Sequence, residues 1–321
     1  MKGTIIGWFG KGNLGDDLLE KIARDFIVDN SQVDSLTSIS IDELYKNKSQ
    51  SENIILDSDI VFVGPGGLIN SGVNYIIEPL RKAKKLILIG VSIEDYSGSS
   101  DRVLGFLAEK ASISLFRDND SKNYFYNFSP KGLVYLVNDF YLSANAEFFP
   151  EKINYKNNSL TVSLPRSWDR KVFQNRLIRY LKAKGAFHKS IHLSLQCPEI
   201  IGMCKTSSEI CVIDSGDQEI FYNLSEVLNK KFYGVISNEE DLERFLYEKN
   251  LISARYHGTL IALKNGIYTE SFCYQNKLFT LCNDYGLPIF NTNKMKSICL
   301  LKLIDDGVQS RTTIKSILES L

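Results

Sequence analysis

The sequence predicts an α/β protein made of two Rossmann-like, doubly wound domains facing across a cleft. Three observations predict it. Short β-branched runs alternate with longer amphipathic stretches along the chain, the pattern of strands joined by helical crossovers. Several strand runs are apolar without interruption, among them Ile60-Val61-Phe62-Val63 and Leu86-Ile87-Leu88-Ile89, as strands covered by helices on both faces require. At 321 residues the chain is long for one core and comfortable for two.

In the first half, strands are expected at 4–8, 36–39, 59–63, 86–91, 112–116 and 133–137, with helices over 17–28, 74–84 and 101–110. The rhythm breaks at Phe149-Pro150 and the polar Lys156-Asn157-Asn158, which reads as a linker between a domain of residues 1–148 and one of residues 159–321. Alternation then restarts. Strands are expected at 160–164, 191–195, 210–213, 234–236, 251–254 and 268–272. Helices are expected at 170–184, 199–204, 219–229, 239–249 and 258–264, with a closing helix over 312–321. Two such domains resemble the architecture of the type B glycosyltransferases. Ligands of open parallel sheets bind outside the carboxyl ends of the strands, so the loops leaving Trp8, Val63, Val91, Leu164 and Ala254 are the places to look.

Composition narrows the function classes. Lys plus Arg and Asp plus Glu both total 38, a balance that argues against a general nucleic-acid binder. The N-terminal apolar run is short and broken by Gly7, unlike a signal peptide. No segment approaches the roughly 20 apolar residues of a membrane span. The six cysteines form no Cys-x-x-Cys pair and read as reduced, structural thiols, which implies a cytoplasmic compartment.

The loop after the first strand carries Gly10, Gly12 and Gly15 in G-x-G-x-x-G spacing. Asp16 and Asp17 stand where a helix N-terminus would receive a pyrophosphate, and their charges oppose it. The acid that would hold a ribose is also misplaced, since Asp34 precedes the second strand and Asp42 lies beyond it. Two other readings stand: turn glycines with an aspartate helix cap, or a floor for a sugar acceptor. The third strand runs into Gly64-Pro65-Gly66-Gly67, either a plain loop or a place for close ligand approach.

In the second half, Arg166 follows a strand tip, where its planar fork suits carboxylate or phosphate, or stacks on Trp168. The sharpest feature is Ser253-Ala254-Arg255-Tyr256-His257-Gly258, where a strand gives way to a helix within a few residues. Residues i and i+2 of an extended tip share a side, which would set Arg255 beside His257. The helix start adds unpaired amides that favour an anion, and histidine is the side chain suited to move a proton near neutral pH. His188 and His192 read as structural. Lys277, near the start of the next helix, is misplaced there unless an anion joins it; otherwise it is solvated surface.

Together these pieces resemble the polysaccharide pyruvyl transferase family. The matching segments are Gly10-Lys11-Gly12-Asn13-Leu14-Gly15-Asp16, Asp59 through Leu68, Arg117-Asp118-Asn119-Asp120-Ser121, Asp139, Ser253 through Ala262, and Tyr274 with Lys277. The sequence departs from the pattern at Pro65, at Tyr256, where the family has an aliphatic residue, and at Ile267-Tyr268, which lacks a proline. The resemblance implies transfer of a pyruvyl group from phosphoenolpyruvate to a sugar hydroxyl, often closing a cyclic ketal, in capsule, exopolysaccharide or cell-wall glycans. It implies His257 as general acid and Arg166, Arg255, Tyr256 and Lys277 around the donor. Gly12, Asn13, Asp16, Gly66 and Gly67 would line the acceptor side. Phosphoenolpyruvate is the co-substrate, with no further cofactor and no metal. Whether the glycan acceptor is lipid-linked stays open; a lipid-linked acceptor would bring the enzyme to the inner face of the membrane. Two alternatives remain: a nucleotide-sugar-dependent glycosyltransferase on the same scaffold, and a non-catalytic glycan-binding or assembly protein.

Overall fold

In the computed structural model, residues 1–94, 96, 98–150, 152–153, 160–163, 198–247, 249–273, 276–290 and 299–321 are described. The chain divides into two units, each with its own parallel sheet. Met1–Lys11, Asp16–Glu147 and Ile304–Leu321 make the first, and Gly12–Gly15 with Phe148–Leu303 the second.

The first sheet contains β1 (Lys2–Gly7), β2 (Ser35–Ser40), β3 (Ile60–Val63), β4 (Gly66–Ile69), β5 (Leu86–Ile93), β6 (Ile113–Phe116) and β7 (Leu133–Leu136). Its order is β2-β1-β3-β5-β6-β7, with β4 added on β5. Every pairing is parallel. The two uninterrupted apolar runs are β3 and β5, each buried along its whole length. The chain moves outward one way from β1 to β2 and the other way through β3. The carboxyl ends of β1 and β3 are therefore the topological switch point of this sheet.

The helices of this unit are α1 (Leu14–Asn30), which starts in the short segment grouped with the second unit, then α2 (Ile41–Lys46), α3 (Lys48–Asp57), α4 (Ile77–Arg81), α5 (Asp101–Lys110), α6 (Asn119–Tyr126) and α7 (Phe140–Asn145). Several of these, α2, α3, α6 and α7, are absent from the sequence expectation, and side-chain caps explain where α2, α6 and α7 begin. Ser40 accepts from the Glu43 amide at 3.2 Å while Glu43 Oε2 accepts from the Ser40 amide at 2.8 Å, a capping box for α2. Asp118 caps α6 by accepting from the Ser121 amide at 2.7 Å, and Asp139 caps α7 through the Tyr141 amide at 3.0 Å. Gly66–Ile69, expected as a loop, is a strand.

The second sheet contains β8 (Leu160–Ser163), β9 (Glu209–Val212), β10 (Lys231–Val235), β11 (Asn250–Ser253) and β12 (Thr269–Ser271), in the order β10-β9-β8-β11-β12. All of its pairings are parallel as well. Helices α8 (Pro198–Thr206), α9 (Gln218–Val227), α10 (Glu239–Leu246), α11 (Tyr256–Lys264) and α12 (Asn276–Tyr285) alternate with the strands. The direction of winding reverses between β8 and β11, so this sheet's switch point lies at Ser163 and Ser253, which are register partners. The helix expected at 170–184, the strand at 191–195, and Arg166, His188 and His192 lie outside the described residues.

The last helix, α13 (Leu300–Glu319), begins well before the expected residue 312, and from Ile304 onward it belongs to the first unit. This differs from the division at residues 148 and 159. The reason is packing within the first unit: Ser310 Oγ accepts from the Asn138 amide at 2.9 Å, and Arg311 pairs with Glu147 at 3.0 Å. Gly307 seats against Ala146, so that a Cβ added there would lie 2.8 Å from the Ala146 Cβ. Among the described residues, no helix is long and apolar enough to cross a membrane.

Candidate functional site

The turn from β11 into α11 is built by side chains from its own sequence. Ser253 is fully buried; its Oγ accepts from the Arg255 amide at 3.1 Å and donates to the Arg255 carbonyl at 2.8 Å. Arg255 keeps extended backbone (φ −120°, ψ 130°) as the residue that caps α11. Its carbonyl also accepts from the Thr259 amide and hydroxyl, both at 3.0 Å. The helix thus starts at Tyr256, earlier than the expected residue 258, and His257 lies in its first turn. The extended geometry invoked to align Arg255 with His257 ends at Arg255.

Arg255 is only 9% exposed. Its Nη2 lies 3.4 Å from Asp214 Oδ2, and the Asp214 side chain is 3% exposed. Asp214 follows β9 closely, and its Oδ1 accepts from the Gly216 amide at 3.1 Å. Because β9 and β11 flank β8, this ion pair spans the carboxyl end of β8. Asp214 is not among the residues the sequence singles out. The one available signal was an acid at the end of a buried apolar strand, ahead of Ser215-Gly216.

The segment Gly12–Gly15 lies along the end of β9. The Leu14 amide donates to the Ile213 carbonyl and the Ser215 amide to the Gly12 carbonyl, both at 3.0 Å, with Asn13 and Asp214 as antiparallel bridge partners. Gly12 has φ +68°, a conformation that favours glycine. Asn13 Oδ1 accepts from the Gly15 amide at 3.2 Å. Gly15 then meets the half-buried His257 ring: a Cβ there would fall 2.9 Å from Cγ and closer still to Nδ1. The imidazole also meets the Tyr256 ring edge-on, with centroids 5.4 Å apart.

Gly12, Asn13, Arg255, Tyr256 and His257 therefore come together in the second unit, although Gly12 and Asn13 were expected on the first domain's acceptor side. Asp16, Gly66 and Gly67 belong to the first unit, at its switch point. A Cβ on Gly66, whose φ is +115°, would lie 3.8 Å from Asp16 Oδ1, and one on Gly67 would lie 2.6 Å from Glu94 Cδ. Gly67 thus makes room for a carboxylate. Beside them, burial pushes the Asp17 carboxyl up, opposed by the Gly10 amide that donates to it at 2.7 Å. Lys277 is half-buried near the start of α12. Tyr274, like Arg166, lies outside the described residues.

Arg117 and Asp139, both almost fully buried, pair at 2.9 Å, and the guanidinium also donates to Ser92 Oγ from Nε at 3.0 Å and Nη2 at 2.8 Å. Among the described residues no cluster of His, Cys, Asp and Glu is arranged to hold a metal ion. What the second unit's switch point offers chemically is a held cation, the first-turn amides of α11 and an imidazole, the components of an anion site with a group able to move a proton.

No protein-family model matches the chain, and no curated protein matches its sequence. Solved structures do match it. UDP-GlcNAc 2-epimerase from Methanocaldococcus jannaschii is similar at TM-score 0.54 and 12% identity, covering 99% of this chain and 99% of that one. The same enzyme in complex with UDP-GlcNAc and UDP gives 0.53 at 10% identity, again covering 99% of each chain. Anabaena Alr3699/HepE in complex with UDP-glucose gives 0.51 at 11% identity, covering 100% of this chain and 94% of that one. At these identities the likeness establishes the fold: α/β, with two Rossmann-like units.

Proposed function

We propose that this chain is a sugar-modifying enzyme that holds a phosphate-bearing donor at the start of α11, with Arg255 as the anion contact and His257 as the group that moves a proton. One observation carries this reading. The Gly12–Gly15 segment and the Ser253–His257 turn, remote in sequence, meet at the switch point of the second sheet around a buried arginine and an imidazole. A charge-assisted contact from Arg255 would contribute about 1.5–3 kcal/mol to holding a phosphate.

The first reading of the donor is a nucleotide sugar. The likeness to structures solved with UDP-glucose and with UDP-GlcNAc supports it, since open α/β sheets of this kind take their ligands at switch points. The diphosphate would lie on the α11 amides and Arg255.

A second reading, pyruvyl transfer from phosphoenolpyruvate, is favoured by a specific observation. The G-x-x-N-x-G-D and S-x-R-x-H segments, which carry the resemblance to the pyruvyl transferases, are in contact through Gly15 and His257. In that reaction His257 would give a proton to the methylene carbon and one sugar hydroxyl would add to C2, its proton returning to His257. Phosphate would then leave with its bonding pair, and a second hydroxyl of the sugar would add to C2, its proton passing to the phosphate, to close the ketal. General-acid catalysis of this type is worth about 10²–10⁴-fold. The acceptor in either case is a glycan or glycan precursor, lipid-linked or free.

Titration calorimetry with UDP, UDP-glucose, UDP-GlcNAc and phosphoenolpyruvate decides the donor. Turnover against a panel of glycan acceptors then reads the product: UDP release with a sugar mass gain, or phosphate release with a pyruvyl mass gain. Binding of none of the four ligands would remove the proposal. Full turnover by His257→Ala would remove the proton-moving role.

A further inference from the structure

The structure contains a buried arginine–aspartate pair in each unit. Arg117 in the first unit is fixed by Asp139 and twice by Ser92, a fitting that locks the ends of β6 and β7. Arg255 stands at the start of α11, with a carboxylate from another strand end 3.4 Å from its Nη2. A buried guanidinium without a counter-charge is strongly disfavoured, and an arginine side chain has many rotamers unless something selects one.

We infer that Asp214 is a positioning residue that sets the Arg255 guanidinium across the end of β8, where the donor's anionic group would bind; this rests on the donor reading above. Asp214 is suited to the task because its own place is fixed. Its Oδ1 is held by the Gly216 amide, its backbone pairs with Asn13, and its side chain is almost fully buried. The remaining carboxylate oxygen, Oδ2, faces Arg255 Nη2. One residue thereby couples the Gly12–Gly15 segment, the turn after β9 and the arginine. The site's cation is held in place before any ligand arrives, which reduces the ordering cost of binding.

The test uses Asp214→Asn, which keeps the volume and an oxygen for the Gly216 amide but loses the charge. Two readouts are taken on the full chain. In ¹⁵N-arginine spectra, the Arg255 guanidinium signal is assigned by its loss in Arg255→Lys; in Asp214→Asn it should move to the position and sharpness of the exposed arginines. In calorimetry, whichever of UDP or phosphoenolpyruvate binds the wild type should bind Asp214→Asn at least tenfold more weakly. The same substitution made in Arg255→Gln should change the Kd by less than twofold, since the cation being positioned is gone. An Arg255 signal untouched by Asp214→Asn, or an equal tenfold loss in both backgrounds, overturns the inference. If the wild type binds neither UDP nor phosphoenolpyruvate, the donor reading fails, and the guanidinium spectrum still decides the role of Asp214. Thermal unfolding accompanies each variant, and Asp214→Ser, which also offers an oxygen to the Gly216 amide, replaces Asp214→Asn should that fail to fold.

Discussion

Replacing Gly15 with alanine separates a local effect from a tertiary one, and the two have opposite signs. Gly15 lies in the first turn of α1, and its backbone is not in the left-handed region that only glycine favours. By local propensity, alanine should stabilise the helix by about 0.5–1 kcal/mol. The structure opposes this. The new Cβ would sit 2.9 Å from His257 Cγ and 3.2 Å from Cε1, inside van der Waals contact. Overlaps of this kind in packed regions cost about 1–3 kcal/mol. The expected net effect is a loss of up to about 2.5 kcal/mol, lowering the Tm by about 2–4 °C per kcal/mol in units of this size. Turnover should fall too, because the ring must leave its position to relieve the overlap. The decisive assay is differential scanning calorimetry on a double-mutant cycle with His257→Ala. Without the ring, Gly15→Ala should turn from destabilising to stabilising. A stabilisation of equal size in both backgrounds would refute the Gly15–His257 packing and the site built on it.

Other expectations follow from the same geometry. Asp139→Ala removes the carboxylate 2.9 Å from the buried Arg117, leaving Glu94 at 3.9 Å and Ser92, and should cost about 3 kcal/mol in urea unfolding. Glu209 is opposed by burial, but Lys231 at 2.7 Å and Lys249 at 2.5 Å hold its carboxyl below its ordinary value of 4.5. Its stabilisation is therefore present above that value and lost as pH falls through the lower folded one, so the Tm gap between wild type and Glu209→Gln should be widest at neutral pH and close in acid. The thiols of Cys273 and Cys282 lie 3.6 Å apart, and Cys273, as hydrogen-bond donor to Cys282, is pushed up. Peptide mass mapping after brief iodoacetamide treatment should find exposed Cys299 alkylated well before half-buried Cys273. Equal labelling of the two would contradict that hydrogen bond.

Much of the fold was legible because its causes are local. The apolar runs at 60–63 and 86–89 became the buried strands β3 and β5, as a doubly covered sheet demands. Ser253, Arg255 and Thr259 carry within their own spacing the hydrogen bonds that end β11 and start α11. The short helices α2, α6 and α7 were less visible. Their starts rest on single side-chain caps at Ser40, Asp118 and Asp139, and their apolar period is too short to stand out. The glycines of Gly64-Pro65-Gly66-Gly67 signal a loop, whereas pairing with β5 makes Gly66–Ile69 a strand.

By itself the sequence determined the α/β class, the doubly wound pattern and the strand-tip arginine with its following histidine, since each follows from periodicity or from contacts a few residues long. Only tertiary structure decided that Gly12–Gly15 belongs with the second unit, that α13 returns to the first, and that Asp214 is the carboxylate facing Arg255. Those outcomes depend on backbone pairing and ion pairing between residues far apart in the chain. Such pairings form where folded strand ends converge, and no local spacing encodes them.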